Sequence, residues 1–149
     1  GELAAAAREC ERQPPELERY DGWGARVDRV RTCPAWGAMK AVSAEEGLVA
    51  TAYERRHGEF SRAVQAAKLF LFAPSSGLYS CPLAMTDGAA KLLEGTLRGG
   101  RSADGYEASQ PARAELQRAF QRLTSRDPAE FATSGQWMTE RRGGTDTHA

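Results

Sequence analysis

Met138-Thr139-Glu140-Arg141-Arg142-Gly143-Gly144-Thr145-Asp146 is the stretch on which the fold of this chain turns. It continues a β-leaning run, Thr133-Ser134-Gly135-Gln136-Trp137, after a long helical pattern. A strand carrying a threonine leads into a glycine turn closed by Thr-Asp. Gly143 and Gly144 permit close backbone approach. The turn amides and the Thr139 and Thr145 hydroxyls can face carbonyl or phosphate oxygens. On spacing alone an ordinary hairpin turn is the simpler reading. A lone strand is not stable by itself. The chain is therefore expected to hold a helical domain over 1–131 and the first, cut residues of a β-domain over 132–149.

Upstream, the pattern is helical in pieces. Glu2 to Gln13 is rich in Ala, Glu and Arg, good helix formers. Pro14-Pro15 stops it, and a loop with Gly22 and Gly24 follows. Thr32-Cys33-Pro34 reads as a helix start with proline at the first position, then Trp36, Met39 and Val42 at helical intervals. Ser43 and Glu46 have the spacing of a capping box, which predicts a new helix there that buries Leu48, Val49, Ala52 and Tyr53. After Gly58, the residues Phe60, Ala63, Val64, Ala67, Phe70 and Leu71 predict an amphipathic helix ended by Pro74. Ser80 to Glu94 follows, with small residues Ala84, Gly88, Ala89 and Ala90 suited to helix packing. Gly99 to Ser109 reads as a surface loop. Ala112, Leu116, Ala119, Phe120 and Leu123 mark a last helix, and Asp127-Pro128 a single short turn.

Bulk properties exclude several classes. The chain has 149 residues, 41% hydrophobic and 27% charged, as in an ordinary globular domain. Lys plus Arg and Asp plus Glu number 20 each, so no global field recruits nucleic acid or an anionic membrane. The longest apolar run, Leu69 to Ala73, is far short of the roughly 20 residues of a membrane span. A soluble, intracellular protein is expected, with no membrane partner. The chain begins with Gly1, so a trimmed sequence is expected. Cys10, Cys33 and Cys81, odd in number and irregular in spacing, read as thiols in a reducing compartment. With His57 and His148 they form no metal-ligand spacing, so no metal is expected.

The aromatic residues Trp23, Trp36, Tyr53, Phe60, Phe70 and Phe72 read as core rather than as base-stacking platforms. Arg26, Arg29 and Arg31 beside Asp28 read as a solvated mixed-charge segment. Glu45, Glu46 and Asp87 read as helix-cap, surface or packing charges, and no catalytic residue is assigned.

The Thr-Glu pair followed by Gly143-Gly144-Thr145-Asp146 resembles the middle-domain signature of the acyl-CoA dehydrogenase family. The segments Leu78 to Ala90, Ser134 to Glu140 and Val42 to Val49 resemble that family's AidB-like subgroup. The resemblance runs from about Tyr20 to Asp146 with its anchors in order.

The resemblance implies a mainly α fold: the N-terminal helical domain of the acyl-CoA dehydrogenase fold with the first strand of its middle β-domain. It implies FAD as cofactor, lined by Gln136, Trp137, Met138 and Thr139, with Gly144 and Thr145 in the turn. Thr145, where the family usually has Ser, would contact the flavin pyrophosphate or the CoA part of the substrate, since Thr keeps the hydroxyl. Asp146 matches a turn-closing acid. Arg141 and Arg142 depart from the family's usual Pro and small residue, which removes a rigid turn.

The family reaction dehydrogenates an acyl-CoA thioester between its α and β carbons, and its base comes from the C-terminal helical domain. The isolated chain is therefore expected to be inactive, within a parent that forms tetramers. The alternative is a flavin-containing, DNA-protective AidB-like protein, binding nucleic acid through a C-terminal region outside this chain. A helical interaction module is a third, blander reading.

Overall fold

The computed structural model describes residues 1–99 and 109–136. They form six α-helices and one two-stranded sheet: α1 (Glu2–Arg12), β1 (Glu16–Tyr20), β2 (Arg26–Arg31), α2 (Pro34–Glu45), α3 (Ala50–Glu54), α4 (Ser61–Phe72), α5 (Ser80–Gly99) and α6 (Gln110–Leu123). The fold is mainly α, as expected. Pro34 opens α2 at its first turn, and Pro82 sits early in α5, where its missing amide is not needed. After α6, Asp127 Oδ1 accepts the Ala129 amide at 2.8 Å and starts the short turn that Asp127-Pro128 predicts.

The core joins α1, α2, α5 and the end of α6. Met39, Val49, Leu83, Ala90 and Phe131 are almost fully buried, with Trp36, Tyr53 and Phe120 packed against them. Trp36 meets Tyr79 edge-on with ring centroids 4.9 Å apart, and Tyr53 meets Phe120 at 5.5 Å.

Three expectations are corrected. The loop at Gly22 and Gly24 is flanked by two strands that were not expected, which make residues 16–31 an antiparallel hairpin with Leu17 opposite Val30 and Glu18 opposite Arg29. The loop is the hairpin tip, where Asp21 Oδ1 accepts the Trp23 and Ala25 amides at 2.9 Å each. Every β2 residue is exposed, and Trp23 is 93% exposed, so Trp23 is not core. The mixed-charge segment is solvated as expected.

Second, Ser43 does not cap a helix. It lies buried inside α2 and donates its hydroxyl proton to the Met39 carbonyl at 2.7 Å, the back-bond a serine makes within a helix. The helix instead ends at Gly47, whose φ of +60° suits glycine. The Leu48 amide donates to the Ser43 carbonyl at 2.9 Å and the Gly47 amide to the Ala44 carbonyl at 2.8 Å, a Schellman ending. Leu48, Val49 and Ala52 are buried and Tyr53 half-buried, as expected.

Third, α4 presents the opposite face. Phe60, Phe70 and Leu71 are exposed, the last two by 77% and 76%. The buried face carries Ser61, Gln65 and Phe72. Gln65 can be buried because its Nε2 donates to the Leu48 carbonyl at 3.1 Å, and Ser61 because its hydroxyl donates to the Gly58 carbonyl at 2.9 Å.

Candidate functional site

The sequence places the chemistry after Phe131, where the chain leaves the helical body. Trp137, Met138, Thr139, Gly144 and Thr145 lie outside the described residues, as do Asp146 and residues 100–108 of the stretch Gly99 to Ser109 that was expected to be a loop. Gln136 is described, and its side chain is exposed. The segment Ala132–Gln136 forms no helix or strand.

What the structure does define is how this segment is held. Phe131 is buried to 1% exposure and anchors it in the core. The Ala132 amide donates to the Arg122 carbonyl at the end of α6 at 3.1 Å. Two residues on, the Ser134 amide donates to Thr86 Oγ1 at 2.9 Å, and that hydroxyl donates to the Pro82 carbonyl at 2.7 Å. Thr86 is fully buried in α5, so the segment is fixed at both ends before it reaches Gln136. The Ser-Gly-Gln order at 134–136 thus marks an exit whose position α5 and α6 set together.

Behind it, α3, α4 and α5 share a polar cluster that local sequence patterns did not reveal. The Tyr53 hydroxyl donates to Asp87 Oδ1 at 2.8 Å, and Arg62 Nη1 donates to both Asp87 oxygens at 2.7 and 2.8 Å. Arg62 also lies over the Tyr53 ring, 4.8 Å from its centroid. Burial, and then the Asp87 bond, push the Tyr53 phenol well above its ordinary range. Asp87 is a packing charge, one of the readings its sequence context allowed. Its partners are 25 and 34 residues away, beyond any local motif.

Two further ionic clusters, centred on Glu94 and on Arg126, brace the helices. Glu94 on α5 bonds Arg55 at 2.5 Å, Lys91 at 3.2 Å and Arg98 at 3.4 Å. Burial opposes its charge, yet these cations hold its carboxyl below the usual range. Arg126 donates through Nε and Nη2 to Glu54 at 2.6 and 3.1 Å, and through Nη1 to the Glu45 carbonyl at 2.9 Å. The Arg126 bonds hold the Glu54 carboxyl down as well. Glu45 and Glu46 are surface residues, with Glu46 paired to Lys68 at 3.1 Å.

Of these groups, Tyr53, Arg55, Glu94 and Arg98 line a small cleft among the described residues. This cleft, of about 200 Å³ between Tyr53 and Phe120, is below the range of small-molecule sites. An open groove of about 390 Å³ over Arg122 and Glu130 lies on the surface of α6. Among the described residues no group of three or more His, Cys, Asp or Glu side chains could hold a metal ion. No described helix is long and apolar enough to cross a membrane.

Two helix sides are open to solvent. The outer side of α4 exposes Phe70 and Leu71. The outer side of α5 exposes Cys81, Ala84, Gly88 and Gly95, and a side chain added at Gly88 or Gly95 would meet nothing within 4 Å.

The profile described as "Adaptive response protein AidB N-terminal domain" matches residues 1–101. Acyl-CoA dehydrogenase family member 11 of Caenorhabditis elegans is 44% identical over 146 residues, which cover 97% of this chain and 22% of that protein. Putative acyl-CoA dehydrogenase AidB of Escherichia coli is 38% identical over 82 residues, 54% of this chain and 15% of that protein. Among solved structures, "Bd2924 apo-form" superposes with a TM-score of 0.80 at 48% identity, over 97% of this chain and 26% of that one. The Caenorhabditis elegans ACDH-11 structure in complex with C11-CoA gives 0.81 at 44% identity, over 98% and 23%. The chain therefore spans about a fifth of the length of the curated relatives it matches.

Proposed function

The chain belongs to the AidB N-terminal domain family, among the acyl-CoA dehydrogenases, and we propose that it is the helical N-terminal part of an FAD-dependent oxidoreductase acting on an acyl-CoA thioester. Residues 1–131 are the helical domain in this reading, and 132–149 begin the middle β-domain. The observation that supports it most is the fixed exit of the chain: Phe131 in the core and Ser134 on Thr86 hold the backbone firmly just before the residues that the resemblance assigns to flavin. The substrate class rests on family membership and on the C11-CoA complex of the nematode relative.

Gln136, Trp137, Met138 and Thr139 would hold the flavin edge, and Gly144 and Thr145 the pyrophosphate or the CoA portion. Gln136 fits, because its side chain is exposed and free to face a planar group. Bound FAD supplies the hydride acceptor, while the protein orients the acyl group against it. This chain contributes position rather than proton transfer. The base belongs to a C-terminal domain in this reading, and the parent assembles as a tetramer. The exposed sides of α4 and α5 are the surfaces on which the rest of the parent closes the site.

The test is flavin content. Full-length protein should copurify with flavin, whereas the 149-residue piece should take up little. Full-length protein that carries no flavin and takes none up contradicts the assignment.

The matched profile carries the name of an adaptive response protein, which favours one second reading: a flavin protein that protects DNA. A salt series on full-length protein separates the two, since phosphate contacts give a steep dependence of affinity on salt.

A further inference from the structure

Cys10 and Cys33 lie 23 residues apart in sequence, yet both are buried and their sulfurs stand 3.9 Å from each other, with the Cys33 thiol donating to Cys10. Cys10 is in the last turn of α1, and Cys33 is the residue that caps α2. Between them hangs the exposed β1–β2 hairpin, whose two strands have only each other as sheet partners among the described residues. A two-stranded hairpin is marginal in water without further support. Its root joins the end of α1 to the start of α2, and the two sulfurs sit on those two helix ends.

The surroundings favour contact between these two sulfurs over any other. Gly77 closes the opposite side of Cys10: a Cβ built there would stand 2.6 Å from the Cys10 Cβ. Glu9 Oε1, one residue before Cys10, accepts the Ala35 amide at 3.4 Å and keeps the end of α1 against the start of α2. A disulfide needs the sulfurs about 2.0 Å apart, so they must close by about 2 Å. The third cysteine, Cys81, is exposed on α5 and takes no part.

We propose that Cys10 and Cys33 are a paired oxidation site, which a peroxide converts to a disulfide that ties α1 to α2 across the root of the hairpin. One sulfur, as thiolate, attacks a peroxide oxygen and becomes a sulfenic acid, and the departing hydroxide takes a proton to leave as water. The second sulfur then displaces the sulfenic oxygen, forming the S–S bond and releasing a second water. Two thiols lose two electrons and two protons, and one hydrogen peroxide becomes two waters. Burial, and then the neighbouring Cys33 sulfur, push the Cys10 thiol up to about 11, so the Cys10 thiol rests protonated and reacts slowly as a nucleophile.

The experiment treats folded full-length protein carrying Cys81→Ser with hydrogen peroxide and maps its cysteine peptides by mass. The expected product is a single chain in which the Cys10 and Cys33 peptides are joined within that chain and two hydrogens are lost. Dithiothreitol restores it. Amide exchange at Glu16 and Arg31 should slow several-fold in the oxidised form while α6 is unchanged. Recovery of both residues as separate thiols or sulfinic acids would overturn the proposal. So would a cross-link formed only in urea, or one that leaves exchange at the hairpin root unaltered. Cys33→Ala serves as the control, and the unsubstituted protein gives the same reading if the Cys81→Ser variant does not fold.

Discussion

The amide of Ser134 donates to the hydroxyl of Thr86 across 48 residues of sequence, at 2.9 Å. This bond fixes where the chain leaves the helical body, because Thr86 is itself held by the Pro82 carbonyl in α5. Substituting Thr86→Val keeps the shape and removes both bonds. The expected cost is about 1–3 kcal/mol, since a half-buried amide loses its partner. Hydrogen exchange should show residues 132–136 released while α2 keeps its protection.

Gly47 and Arg126 form a second joint. The guanidinium covers Gly47, and a Cβ built there collides with it. Gly47→Ala therefore combines strain at a φ of +60° with loss of the Arg126 bonds to Glu54 and Glu45. A loss of about 2 kcal/mol or more is expected in urea unfolding. Adding Arg126→Ala should cost far less than its effect alone, because the two residues share one contact.

Acid stability follows from Glu54 and Glu94, whose carboxyls are held below their ordinary range. A lowered folded value contributes stability that is complete above the unfolded carboxylate pKa of about 4.3. It is lost as pH falls through the lower folded value. Unfolding free energy should therefore be level near neutral pH and decline below about pH 4. Glu94→Gln should flatten part of that decline.

At the other end of the scale, Tyr53 and Tyr79 are raised, Tyr79 to about 12 through burial. The unfolded chain gives up phenol protons near pH 10, so stability should fall above that pH. Tyr53→Phe should remove part of the alkaline loss. It should also leave Asp87 with only Arg62 and Gln65 as side-chain partners among the described residues, at a cost of about 1–2 kcal/mol near neutral pH.

The exposed side of α4 predicts an asymmetry. Phe70→Glu should change the stability of the 149-residue chain by no more than about 0.5 kcal/mol, because the side chain is 77% exposed. In the full-length protein the same change should lower flavin content or assembly, read by absorbance and size-exclusion chromatography.

The helices were legible where end signals and one buried face agreed. Pro34 opens α2, Pro82 lies early in α5, and Asp127 starts its turn as read. The hairpin was hidden because both its faces are exposed, so Glu16–Tyr20 and Arg26–Arg31 lack the apolar alternation that marks a half-buried strand. Ser43 misled because Ser-x-x-Glu describes a cap and a mid-helix serine equally well. On α4 the rhythm gave the helix but not its inward face, since burial of Gln65 depends on carbonyls 16 and 17 residues away. For the candidate site, sequence supplied the family and the segment after Phe131, while the Thr86 anchor came only from the fold.

The most direct measurement is the visible spectrum of purified full-length protein, recorded anaerobically before and after a saturated acyl-CoA is added. An acyl-CoA-oxidising flavoprotein shows flavin absorbance that bleaches as the acyl group is oxidised to its α,β-unsaturated form. A spectrum with no flavin, or a flavin that acyl-CoA leaves unbleached across chain lengths, contradicts the account.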